Sequence, residues 1–219
     1  QIRALQKSGM KTIKVKIGRI PADQEIRQIL RLADAMGNNL RLRLDGNRLL
    51  SASSYSRYFR ALGHLNVEYA EEPLQIDESS ASRDVPWPIA LDESLPPYLD
   101  PAHPGIFSLP ENIRTVILKP GLLSGLSGMA SFIAAAQKRS IQTVLSSSFN
   151  TGVSLAVLGL FSRLAGLSSD IACGFDTLKH LQADVLNNFP SVSDGALTIS
   201  RNLFADMHLN SRVLIQEDL

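Results

Sequence analysis

Short apolar runs alternate along the chain with longer stretches in which apolar positions recur every three or four residues. The first run, TIKVKI at 12–17, alternates strictly, with Ile13, Val15 and Ile17 on one face of a strand and Lys14 and Lys16 on the other. Further strands are predicted at 40–45 (LRLRLD), 66–70 (NVEYA), 88–92 (PIALD), 115–119 (TVILK), 141–146 (IQTVLS) and 171–174 (IACG). Between them, PADQEIRQILRLADAMG, SASSYSRYFRALGHL, GLSGMASFIAAAQKRS and TGVSLAVLGLFSRLAGL carry helical spacing, and the opening QIRALQKSGMK reads as the end of an amphipathic helix. Strand and helix in alternation predict a parallel α/β architecture. Seven strands are one short of a closed (β/α) barrel. An open doubly wound sheet accepts seven, but the GxGxxG that marks its nucleotide-binding turn is absent. From about residue 181 the periodicity weakens, with DGALTIS as a candidate extra strand.

Composition narrows the classes. At 219 residues, 44% hydrophobic and 20% charged, the chain has the make-up of one large globular domain. A formal net charge of +1, with Lys and Arg spread along the chain, gives no footprint for nucleic acid or a charged membrane surface. The most apolar stretch, SLAVLGLFSRLAGL, is short and broken by Arg163, which argues against a membrane span. The single cysteine, Cys173, excludes an internal disulfide and fits a cytoplasmic setting; in an apolar strand it reads as a small core residue. His64, His103, His180 and His208 lack metal-ligand spacing, and Trp87, between two prolines, is expected to pack at a strand entrance.

Two lysines on one face of a strand suit a solvated edge. The ends of the next three strands open a second reading. Asp45 ends LRLRLD, Glu71 follows VEYA and Asp92 follows PIAL. In a parallel barrel these ends share the face on which active sites are built. A lone Asp there is usually a helix cap or turn former, but three converging carboxylates need a cation, and an all-oxygen set suits Mg²⁺. Lys119 ends TVILK and is expected across the site from Lys14 and Lys16. Burial and neighbouring positive charge favour a lysine's neutral form, as required of a base that removes a proton beside a carboxylate. Arg43 shares parity with Asp45 and is a candidate interior partner for the carboxylates.

The segments KVK, LRLDGN, AEEP, LDES and LKPG, in this order, resemble the enolase superfamily and, within it, the muconate-lactonizing-enzyme-like subgroup. The resemblance implies a (β/α)7β TIM-like barrel in which Asp45, Glu71 and Asp92 bind Mg²⁺, with Mn²⁺ as a substitute. It also makes Lys16 the base, with Lys14 tuning it and Lys119 opposite. Asn47 would line the site, and Glu72 and Glu93 would support the ligands. SSSFNTGVSLAVL and CGFDTLKHLQADV resemble the corresponding stretches of o-succinylbenzoate synthases, which implies that Ser146, Ser148 and Gly174 lie near the tail of a small carboxylate substrate. The plainer reading of SSSFNTG is a helix-capping turn. N-succinylamino acid racemases, dipeptide epimerases and cycloisomerases of the subgroup remain alternatives, although CGFDT holds one aspartate where the epimerases carry Asp-x-Asp. Against the family pattern, the N-terminal capping domain and first barrel strand are missing, so a fragment without turnover is a third reading. Residues 1–180 are expected to form the barrel part, and 181–219 a tail.

Overall fold

The computed structural model describes residues 4, 7, 9–37, 40–74, 87–188, 190–200, 202, 205 and 207–213. Most of the helix expected at the start lies outside them. Strands β1 (Thr12–Lys16), β2 (Arg41–Asp45), β3 (Val67–Glu71), β4 (Ile89–Leu91), β5 (Ile113–Leu118) and β6 (Gln142–Leu145) form one six-stranded sheet in sequential order. All five pairings are parallel. Helices α1 (Ala22–Met36), α2 (Ala52–Leu62), α3 (Gly125–Lys138) and α4 (Gly152–Leu164) supply connections. This is the half-barrel arrangement of a (β/α) fold.

The alternation in each strand decides its two faces. Ile17, Leu42, Leu44 and Ala70 pack against Ile26 and Ile29 of α1 and Tyr55, Tyr58 and Leu62 of α2. Trp87 joins this cluster, edge-on to Tyr55 and Phe59, as expected of it. Val116, Leu118 and Leu145 pack with Met129, Phe132 and Ile133 of α3 and Leu155 and Leu158 of α4. On the other face Tyr69, Ala90, Ile117 and Val144 form a small third cluster.

A register shift between Leu42 and Arg43, which pair with Val67 and Tyr69, leaves Glu68 as an extra residue in β3. Such a bulge bends the strand and turns consecutive side chains toward one side. Glu68 consequently meets Arg43 at 2.9 Å and accepts from Gln142 of β6 at 2.9 Å, while Arg43 donates to the Ala172 carbonyl at 2.7 Å. Side chains from β2 and β3 thus reach partners beyond and on the far edge strand, which requires a strongly curved sheet.

Two expectations change. The strand expected at 171–174 is a single parallel bridge, Ser146 with Gly174, and Arg43 takes the Ala172 carbonyl that a ladder would use. Arg43 is interior, as expected, but its carboxylate is Glu68 and not an acid at the strand ends. Beyond it, β7 (Ser191–Ser193) and β8 (Ala196–Thr198) form an antiparallel hairpin. Its turn meets the segment before β1: a Cβ on Gly195 would lie 2.7 Å from the Gly9 carbonyl oxygen. Leu197 and Ile199 close over Gly159 of α4.

Candidate active site at the carboxyl ends of the strands

Five consecutive strands end in charge. Lys16 is opposite Asp45 in register, and Asp45 is opposite Glu71; Asp92 follows β4 by one residue and Lys119 follows β5. The sheet order places the acids of β2, β3 and β4 between lysines from β1 on one side and β5 on the other. The acids are buried, Asp45 at 2%, Glu71 at 1% and Asp92 at 8% exposure. Buried carboxylates this close need compensation. Lys14 provides it at 2.9 Å from Glu71 and 3.3 Å from Asp45, and Lys16 lies 3.7 Å from Asp45. Lys119 sits astride Asp92, at 2.5 Å from Oδ1 and 2.7 Å from Oδ2.

The charge balance is uneven. Burial pulls the Lys14 ammonium down, but Glu71 and Asp45 together outweigh it, so its pKa rises. Its nearest neighbours are carboxylates, which favour the charged form. Burial drives Glu71 up, Lys14 opposes it, and the Asp45 and Asp92 charges add to the rise. The acid bears the desolvation because it is fully enclosed, while Lys14 is partly open to water.

Asn47 follows β2 in a left-handed conformation, φ 43°. Its amide N–H donates to Asp45 Oδ1 at 3.1 Å, and its side-chain carbonyl accepts from Lys16 Nζ at 2.8 Å and from Arg19 at 3.5 Å. Glu72 turns away from the row at φ 41° and accepts the backbone N–H groups of Asp92 (2.7 Å) and Ser94 (2.8 Å), tying the ends of β3 and β4 together. Glu93 Oε1 is 3.5 Å from the Asn47 side-chain nitrogen, Nδ2.

Ser146 and Gly174 are neighbours through their bridge; a Cβ at Gly174 would come 2.7 Å from Ser146 Oγ. Ser148 is exposed, and its N–H donates to Asn150 Oδ1 at 2.8 Å. The turn is built around buried Ser147, whose hydroxyl accepts from Thr177 at 3.0 Å, and Thr151 caps α4. Asp184 also holds the start of α4, accepting the Gly152 N–H at 2.7 Å. Sequence reasoning passed over Ser147, Arg19 and Asp184; an acid beyond a helix in the chain carries no local capping signal. Burial pushes the Cys173 thiol up, in keeping with a core role, and His180 packs edge-on to Phe149.

The donor set suits a hard divalent cation such as Mg²⁺: three buried carboxylates, all oxygen, on adjacent strand ends and within one another's fields. Among the described residues no three acids, histidines or cysteines gather tightly enough to hold an ion as they stand; Glu71 and Asp92 are ion-paired with Lys14 and Lys119 instead. The fit is therefore one of ligand chemistry and strand register. No helix among the described residues is long and apolar enough to cross a membrane.

A family model described as enolase C-terminal domain-like matches residues 1–202. The o-succinylbenzoate synthase of Thermobifida fusca (strain YX) is 31% identical over 204 residues, covering 91% of this chain and 62% of that protein. The enzyme of the same name from Salmonella newport (strain SL254) is 30% identical over 194 residues, covering 86% and 58%. The muconate lactonizing enzyme of Pseudomonas putida superposes with a TM-score of 0.79 at 18% identity, covering 96% of this chain and 59% of that one. Muconate cycloisomerase from Pseudomonas fluorescens gives 0.73 at 18%, covering 96% and 58%. The chain thus spans about three-fifths of the length of these relatives.

Proposed function

Because the chain belongs to the enolase C-terminal domain-like family, in the muconate-lactonizing-enzyme-like subgroup of the enolase superfamily, we propose that it carries the catalytic barrel of an o-succinylbenzoate synthase. The reaction is the dehydration of 2-succinyl-6-hydroxy-2,4-cyclohexadiene-1-carboxylate to o-succinylbenzoate, a step toward menaquinone or phylloquinone in the cytoplasm. The observation that carries this reading is the row of lysines and acids at five consecutive strand ends. Identity of about 30% to enzymes of that name supports the choice within the subgroup.

Lys16 removes the proton next to the substrate carboxylate, and the electron pair moves onto that carboxylate. Asp45, Glu71 and Asp92 would hold Mg²⁺, or Mn²⁺ in its place, which when bound supplies positive charge against the carboxylate as it takes up the pair. Lys119 adds an ammonium group from the other end of the row, and Lys14 holds Glu71 and Asp45 in place. The pair then returns to the ring, the carbon–oxygen bond breaks, and the Lys16 ammonium gives its proton to the departing hydroxide. One water leaves and the ring becomes aromatic. Asn47 orients Lys16, and Ser146, Ser148 and Gly174 contact the succinyl tail. Residues 1–180 supply the barrel part, and 181–219 the returning tail.

The test follows Mg²⁺-dependent dehydration by ultraviolet absorbance with the full-length protein and a Lys16→Ala control. Turnover that vanishes in the control is expected. Folded, Mg²⁺-loaded protein without turnover would overturn the reading and direct the search to N-succinylamino acids and dipeptides.

A further inference from the structure

β1 carries Lys14 and Lys16, yet among the described strands it is hydrogen-bonded on one side alone, to β2. After Ile17, whose N–H reaches the Asp45 carbonyl, three successive backbone N–H groups converge on one carboxylate. Gly18 donates to Glu25 Oε2 at 2.7 Å, and Arg19 and Ile20 donate to Oε1 at 2.9 and 3.0 Å. The Tyr58 hydroxyl of α2 also donates to Oε2. Gly18 permits the turn at φ 83°, where a Cβ would strike Leu50 Cδ2 at 2.9 Å.

Glu25 is 6% exposed and forms no ion pair among the described residues. A buried carboxylate of this kind is held by its donors, and each hydrogen bond to it is charge-assisted. Its site is a concave nest of N–H groups filled by the protein's own acid. The loop so held also carries Arg19, which shares the Asn47 carbonyl with Lys16.

We propose that Glu25 is a positioning residue: its carboxylate clamps the end of β1 to α1 and α2 and thereby fixes where Lys16 stands. The link to catalysis rests on the reading of Lys16 as the base. The clamp itself does not.

The test compares Glu25→Gln and Tyr58→Phe with the parent full-length protein, by amide hydrogen exchange at Gly18, Arg19 and Ile20 and by steady-state kinetics with Mg²⁺. A Leu62→Ala variant, which loosens the same helix packing without touching the clamp, serves as the stability control. In Glu25→Gln, exchange at the three amides rises at least about tenfold, and kcat falls on the order of tenfold or more with KM little changed, since misplacing a catalytic group costs this much. Tyr58→Phe, which leaves the carboxylate in place, gives smaller changes in the same direction and keeps the test decisive if Glu25→Gln does not fold. Unchanged exchange in both variants would overturn the clamp. A kcat loss matched by Leu62→Ala at equal loss of Tm would reduce Glu25 to a structural residue. If the parent shows no turnover, the proposed function fails, and exchange alone decides the clamp.

Discussion

Asp45 stands between Lys14 and Lys16 and is buried beside Glu71, so it ties the lysine strand to the acid row. Asp45→Asn is expected to weaken Mg²⁺ binding at least about tenfold in titration calorimetry, by analogy with the cost of disturbing groups around a metal. The same change leaves Lys14 and Lys16 with one carboxylate fewer. Glu68 and Glu25 also bear on stability. For Glu68, burial raises the pKa but Arg43, with Gln142 and Arg41, more than reverses it; for Glu25, Tyr58 and three backbone N–H groups do the same. Both folded-state values lie below the ordinary 4.5, so both stabilise the fold above that pH. That contribution is lost as pH falls from about 4.5 through the depressed values, where the unfolded chain binds the protons first. Urea unfolding between pH 6 and 3 should therefore show a shallower acid limb in Glu68→Gln than in the parent.

At the scale of elements, local chemistry sets the boundaries. Ser51 caps α2 by accepting the Ser54 N–H at 3.3 Å, and Ser51→Ala is expected to cost about 1 kcal/mol in urea unfolding. Gly37 ends α1 at φ 76°, its N–H returning to the Ala33 carbonyl. The β7–β8 hairpin depends on contacts that neither of its strands announces. Gly195, at φ 71°, touches the Gly9 backbone. Gly195→Ala combines left-handed strain of about 1 kcal/mol or more with a backbone collision. It should lower Tm while leaving helix content by circular dichroism nearly unchanged, because the damage lies in docking the hairpin.

At the scale of the molecule, one polar cluster ties sheet curvature to stability. Arg43 links Glu68 and the Ala172 carbonyl, and Gln142 reaches Glu68 from β6. Arg43→Met leaves the partly buried Glu68 carboxylate without its cation, at an expected cost of about 2 kcal/mol or more. Replacing both partners, Arg43→Met with Glu68→Met, should recover much of that loss, because no buried charge is then stranded. Denaturant midpoints of the three proteins decide between this and a purely steric role for Arg43.

The sequence by itself determined the strand–helix alternation, the apolar and polar face of each strand, and the acids and lysines at the strand ends, because side-chain period and chain order are local properties. It also marked Asn47 and Glu72 as neighbours of the acids. Tertiary structure alone decided the rest. Alternation in TIKVKI could not say whether Lys14 and Lys16 face solvent or carboxylates until β2 and β3 came into register beside them. Arg43 and Glu68 meet through a bulge visible only as a mismatch between two strands, and the segment at 171–174 forms a single bridge with β6 while Arg43 takes its Ala172 carbonyl. Glu25 reads locally as an acid in the first turn of a helix, and its four donors come together only when α1, α2 and the end of β1 are folded against one another. Chain-distant partners of this kind leave no periodic trace, since their spacing is fixed by the packing and not by the backbone repeat.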